Sequence, residues 1–327
     1  MNGRRVRLVT CALSFGLVAS SWAGGYAAGQ DPGGSRTETA SAHLERGNAL
    51  EAKGDAMGAI AEYREALRLQ PDYVTAHRNL GIMLEAKGNL DAAILEDREV
   101  VRLEPAAASA HANLGRVLEK KDDLAGAIKE YRAAVRLQPN DAALDNSLGL
   151  VLSAQGDLED AISEYREALR VQPEFAQAQN NLGLALKAVG DLDAAIAEYR
   201  RAVSLEPNSA SLHYNLGVVL KMDGDLDGAI AEYRETIRLQ PQLSRAHNNL
   251  ATALREKGAL AEAIAEYREA VRLESGNAVA HYNLGIALEK RGDRHAALEQ
   301  FRIAANLQPN DPDFAAGVER LSGQPMR

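Results

Sequence analysis

The chain has one cysteine, Cys11, and one tryptophan, Trp22, in 327 residues. A single thiol forms no internal disulfide, so stability has to come from packing alone. Aromatics make up only 5% of the residues, which leaves Ala, Leu and other small aliphatic side chains to build the core. Basic residues are in deficit: 37 Lys and Arg stand against 46 Asp and Glu, a formal charge of −9. Phosphate binding is dominated by Lys and Arg, so an acidic chain argues against nucleic acid as a partner. HExxH, a phosphate loop, a dinucleotide fingerprint and a candidate cysteine nucleophile are all missing. No catalytic residue, cofactor or metal is therefore expected.

Long apolar runs are missing too. Leu8 to Ala19 is a 12-residue stretch, short against the ~20 apolar residues that span a bilayer. Arg4, Arg5 and Arg7 precede it and the small-x-small series Ser21-Trp22-Ala23 follows, the order of a secretory signal. Residues 1–23 are thus expected to direct export to the periplasm or the outside. An uncleaved anchor is the alternative. Cleavage would remove Cys11, Trp22, three arginines and no acid, taking the charge from −9 to −12, and would leave no membrane span. Residues 24–39, GGYAAGQDPGGSRTET, are rich in Gly and without apolar periodicity, and read as a flexible linker.

From residue 40 a 34-residue period takes over. Proline recurs at Pro71, Pro105, Pro139, Pro173, Pro207, Pro241 and Pro309, with Ser275 in the one gap. Eight units follow without insertion: 40–73, 74–107, 108–141, 142–175, 176–209, 210–243, 244–277 and 278–311. Within 210–243, Leu212, Leu216, Val219 and Leu220 share one helical face, as do Leu226, Ala229, Ile230, Tyr233 and Ile237. Gly224 suits the left-handed end of the first helix and Asp225 the N-cap of the second. Pro241 stops the second. The Ala59 column has no exception, the Gly47 column fails only at Ala251, and the Tyr63 column is broken only by Asp97. Residues 312–321 start a further first helix with no second, an expected terminal cap.

A Leu-Gly pair, then a small residue and an aromatic, then a closing Pro at period 34 resembles the tetratricopeptide repeat (TPR) family. The resemblance implies an all-α fold: antiparallel helix pairs stacked as a right-handed superhelical solenoid, with a concave groove lined by the first helix of each pair. It also implies a non-catalytic scaffold that binds a protein or peptide segment.

Two columns compete as candidate sites. His43, His77, His111, His213, His247 and His281 align, but helices ~8–10 Å apart do not bring two of them onto one zinc sphere of ~2.0–2.1 Å. They read as packing residues. Two positions on, Asn79, Asn113, Asn181, Asn215, Asn249 and Asn283 align, with Ser147 in the gap. Two helical residues turn through ~200°, so this column faces away from the packed side, toward the groove. A side-chain amide both donates and accepts and suits an extended peptide backbone. A similar asparagine ladder lines the groove in the repeats of the O-linked N-acetylglucosamine transferases, where it holds the substrate chain. Bonding to neighbouring helices is the alternative. Six residues after each Asn the charge changes from Glu85 and Glu119 to Lys187, Lys221 and Arg255, then Glu289, a hint of polarity in what binds. Six repeat steps at ~10 Å per layer give ~60 Å, enough for ~18 extended residues.

The Arg64 to Arg302 column is expected on the outer surface in ion pairs. Asp97, in an aromatic position, should be exposed, paired or protonated, and residues 74–107 should form the softest repeat. Asp145 and Ser147 are expected to leave a gap in the ladder. A monomeric binding scaffold is the leading reading. A self-associating structural solenoid and an accessory module of an enzyme are the others.

Overall fold

A computed structural model describes residues 38–323. The expected signal segment 1–23, with Cys11 and Trp22, nearly all of the linker and the last four residues of the tail lie outside the described residues. Among the described residues there are seventeen helices and no strand. The first helices of the repeats are α1 (Ala40–Ala52), α3 (Val74–Ala86), α5 (Ala108–Lys120), α7 (Ala142–Gln155), α9 (Ala176–Val189), α11 (Ala210–Asp223), α13 (Ser244–Lys257) and α15 (Ala278–Arg291). The second helices are α2 (Ala56–Leu69), α4 (Leu90–Leu103), α6 (Leu124–Leu137), α8 (Leu158–Val171), α10 (Leu192–Leu205), α12 (Leu226–Leu239), α14 (Leu260–Leu273) and α16 (Arg294–Leu307). The odd helix, α17, covers Pro312–Ser322.

Each turn follows from its residues. Gly224 sits at φ 91° and ends α11, and Asp225 accepts the Gly228 N–H to cap α12. In the repeat 108–141 the left-handed position is held by Asp122 at φ 66°, the one non-glycine with positive φ among the described residues. Helix α12 ends at Leu239, before Gln240 and Pro241.

Within a repeat the contacts run in hairpin order. His43 meets Glu62, Gly47 meets the Tyr63 ring, and Glu51 meets the Tyr63 hydroxyl. The partners come closer in sequence toward the turn, so the helices are antiparallel. The small columns permit the close approach: a Cβ on Gly217 would lie 2.8 Å from the Tyr233 ring. Tyr63, Tyr165, Tyr199, Tyr233, Tyr267 and Phe301 are fully buried.

The contacts divide into two compact units, one running to Asn140 and including Ala154–Gly156, the other Asp141–Ser153 and the chain from Asp157 on. In the first, Asp97 replaces the tyrosine and is buried against Gly81, 7% exposed. Burial pushes its carboxyl up to about 6; Arg116 opposes this and Glu85 and Glu96 reinforce it. Arg116 itself forks onto Glu85, which also takes Lys120. In the second unit α17 closes the last repeat. Phe314 meets the Tyr282 ring at 4.9 Å in a tilted contact, Gly317 lies against the Phe301 ring, and Arg320 pairs with Glu289 at 2.6 Å.

The outer arginines are exposed as expected, and Arg234 pairs with Glu262. The denser series of ion pairs belongs instead to Arg68, Arg102, Arg170, Arg238 and Arg272, each on a Glu three residues earlier. Such exposed pairs contribute at most ~1 kcal/mol each.

Candidate functional site: the first-helix face

The histidine column is engaged on both ring nitrogens. Nδ1 of His213 lies 2.6 Å from Glu232 and its Nε2 3.0 Å from the Pro207 carbonyl. His77, His111 and His247 repeat this with Glu96, Glu130 and Glu266 and with Pro71, Pro105 and Pro241. His281 does so with Gln300 and Ser275, and His43 reaches Glu62 and Glu38. A carboxylate and a carbonyl only accept, so both bonds form when the ring carries its second proton. The Glu266 bond accordingly raises the His247 pKa. Each bridge fastens the first helix to its own second helix and to the preceding loop, a structural role.

Two repeats break this bridge. Gln179 donates to the Pro173 carbonyl at 3.0 Å, and its Oε1 and the Glu198 Oε2 are buried without partners. Asp145, 1% exposed, leaves Oδ2 without a partner. Burial pushes its carboxyl up to about 6, reinforced by Glu164, Glu167 and Asp141. A histidine at 179 would supply the second donor. Gln179→His is therefore expected to stabilise the protein by ~1–2 kcal/mol at mildly acidic pH, read as a rise in the denaturation midpoint, with the gain shrinking as pH rises and the ring loses its proton.

The asparagine column points away from the packed side, and its amides turn sideways. Asn181 Nδ2 donates to Asn146 at 2.9 Å, Asn215 to Asn180 at 2.9 Å, Asn249 to the Tyr214 hydroxyl at 3.0 Å and Asn283 to Asn248 at 3.2 Å. Asn79 donates to Asn48. Each bond ties a first helix to the first helix one repeat earlier. Asn180 and Asn248 donate in turn to Asn181 and Asn249. The counterpart of these acceptors for Asn113 is Arg78, which has only donors, and no such bond forms there. The expected gap falls at Ser147, whose hydroxyl bonds the Ala143 carbonyl of its own helix, and the ladder resumes with Asn181, for which Asn146 supplies the acceptor. The signal was in the sequence: an acceptor side chain 35 residues before each of these asparagines of the second unit.

What stays open lies beside the ladder. Gln177, Ser211, Arg245 and Val279, four residues before the asparagines, are exposed. Leu184, Val218 and Thr252, three after, are half-buried. Lys187 is half-buried with no ion pair, and burial lowers its pKa. Lys221 pairs with Glu256 at 3.1 Å, and the Arg255 Nε is buried without a partner. No helix among the described residues is long and apolar enough to cross a membrane.

Family profiles described as tetratricopeptide repeat match residues 44–103, 97–142, 146–203 and 210–243, and one described as TPR repeat matches 185–224 and 251–292. The chain belongs to the tetratricopeptide repeat family. Its repeats form a scaffold of the kind that serves as a protein–protein interaction module. Several solved TPR-like structures share the fold. The pilF structure of Pseudomonas aeruginosa has a TM-score of 0.55 at 20% identity, over 67% of this chain and 98% of that one. YrrB, described as a TPR protein with an unusual peptide-binding site, has 0.51 at 23%, over 56% and 95%. The APC/C Cut9–Hcn1 hetero-tetramer gives 0.54 at 17%, over 86% and 55%. No curated protein matches in sequence. At these identities the likeness is one of fold, and the site of this TPR chain has to be argued from its own residues.

Proposed function

We propose that this chain is an exported, monomeric, non-catalytic scaffold whose first-helix face takes an extended protein or peptide segment. One observation carries the reading. In the second unit the ladder holds α7, α9, α11, α13 and α15 side by side, yet the flanking positions Gln177, Ser211, Arg245 and Val279 stay exposed. A face fixed in register and left uncovered suits a linear ligand. Asn181, Asn215 and Asn283 each spend one N–H on a neighbour and keep the second; Asn215 and Asn283 also keep Oδ1. The ladder thus sets the spacing of the helices and offers part of its capacity to a backbone laid across it. From Asn181 to Asn283 there are three repeat steps, ~30 Å at ~10 Å each, room for ~9 extended residues. YrrB, a TPR protein described by a peptide-binding site, makes the same class of ligand reasonable here. Export rests on Arg4, Arg5, Arg7, the apolar run and the Ala23 junction.

The test places photo-crosslinkers at Val218 on the first-helix face and at Ala231, exposed on α12, in the exported protein. Crosslinked polypeptide is expected at position 218 and not at 231. Equal yield at both positions would reject the face. N-terminal sequencing of the same material should begin at Gly24; a start at Met1 would reject cleavage.

A further inference from the structure

In four of the eight repeats the buried tyrosine of the second helix turns its hydroxyl up to the first helix and finds a partner there. The Tyr63 hydroxyl donates to Glu51 at 2.7 Å and lies 2.9 Å from the Asn48 Oδ1, a second acceptor. Tyr131 reaches Glu119, Tyr165 meets Ser153, and Tyr267 meets Thr252 at 2.9 Å. Glu51, Glu119 and Ser153 are one column, six residues after the asparagines. In the repeats 176–209 and 210–243 that column holds Lys187 and Lys221, which only donate. Beneath them Tyr199 and Tyr233 are fully buried and neither hydroxyl has an acceptor; the side chain facing the Tyr233 hydroxyl is the Asn249 amide, a donor. In the next repeat the column holds Arg255, whose Nε is also buried and unpartnered. Three successive repeats therefore present donors with too few acceptors. The one nearby carboxylate that pairs with this set is Glu256, on Lys221. The column in the first unit is the reverse, with Glu51, Glu85 and Glu119 already engaged by Tyr63, by Arg116 and Lys120, and by Tyr131.

Buried donors without acceptors carry a desolvation cost that a ligand bearing acceptors removes. We infer that the stretch marked by Lys187, Tyr199, Lys221, Tyr233 and Arg255 is a subsite for an acidic polypeptide segment, its Asp or Glu carboxylates accepting from the lysines, the arginine and the phenols. This rests on the reading of the first-helix face given above and narrows it to a chemistry. Two repeat steps at ~10 Å separate Lys187 from Arg255, so about six extended residues cover the subsite. The net charge of the whole chain is −9, and within it this one column is cationic in three successive repeats.

The probe is a fluorescein-labelled dodecapeptide alternating Glu and Gly, followed by anisotropy with the full exported chain. Peptides with Gln or Lys in place of Glu are the comparisons, and a dodecamer of single-stranded DNA is the polyanion control. The Glu peptide is expected to bind at least tenfold more tightly than the other three and to weaken with added salt. Tyr199→Phe with Tyr233→Phe should lower its affinity about tenfold while raising the denaturation midpoint, because the change removes buried hydroxyls that have no acceptor in the unbound protein. Lys187→Met should lower it similarly. Tyr63→Phe should do the opposite, lowering stability and leaving affinity alone. Equal binding of the Gln peptide, an equally tight DNA, or unaltered Glu-peptide affinity in the Tyr199/Tyr233 pair would overturn the inference. The two readings fail separately. If the Gln peptide crosslinks at Val218 as well as the Glu peptide does, the face stands and the acidic subsite falls; if no peptide crosslinks there, both fall.

Discussion

Asp97→Tyr is expected to raise the stability of the first unit by about 3 kcal/mol or more at pH 7. The carboxyl of Asp97 stands at about 6 in place of 3.8, about two pH units, and each unit corresponds to ~1.4 kcal/mol of penalty on the charged form. A tyrosine removes that penalty and adds an aromatic ring to the core. Room for the ring is built in, since Gly81 occupies the place of Gly47 and Gly115, whose faces take the rings of Tyr63 and Tyr131. Its hydroxyl would rise toward Glu85, as Tyr63 and Tyr131 rise to Glu51 and Glu119. Urea denaturation of the wild type, Asp97→Asn and Asp97→Tyr separates the two contributions: Asn relieves the charge, and only Tyr adds the ring. Hydrogen exchange over 74–107 should slow in the same order. A Tyr variant less stable than wild type would mean that the Arg116–Glu85–Lys120 cluster fills the site and the ring overpacks it.

The second large effect is with pH. Asp97 and Asp145 have folded values of about 6 against an unfolded value near 3.9. The folded protein therefore takes up these protons first, and stability rises as pH falls from 7 toward 4, by on the order of 3 kcal/mol for each group. The His247 pKa is raised by Glu266. Its contribution is fully present below ~6.5 and is lost as pH rises through the folded value. Opposing both, Glu62 is held low by His43 and Arg46, and Glu85 by Arg116 and Lys120, against their burial. Their contribution is lost as pH falls below ~4.3. Maximum stability is thus expected near pH 5, with a melting temperature clearly higher there than at pH 8. Thermal melts from pH 4 to 9 check this. Asp97→Asn with Asp145→Asn should flatten the rise between 7 and 4, and stability that climbs steadily to pH 8 would contradict the assignment.

Much of this was legible in the sequence because a 34-residue period repeats each local decision eight times. Gly224, Asp225 and Pro241 mark one repeat's turn, cap and stop, and the helices begin and end on them. The packing of His213 followed from its neighbours, though the pair of acceptors around its ring did not. The sequence also placed the asparagines on the right face and left open whether they meet a peptide or a neighbouring helix. Periodicity sets the direction of Cα–Cβ and is silent on the rotamer, so the bond from Asn215 to Asn180 was visible only by comparing columns one position apart in adjacent repeats. The donor surplus beneath Lys187 and Lys221 was harder still. It depends on how deep the Tyr199 and Tyr233 hydroxyls lie, and the same tyrosine is satisfied or unsatisfied according to the residues 12 and 15 positions earlier.

The central claim is that ligand lies along the first helices. Hydrogen–deuterium exchange of the full chain, with and without saturating Glu-Gly dodecapeptide, tests it most directly. Protection is predicted in α9, α11 and α13 around Lys187, Val218 and Arg255, with α10, α12 and α14 unchanged on their exposed sides. Protection confined to the second helices, or none at saturation, would contradict it.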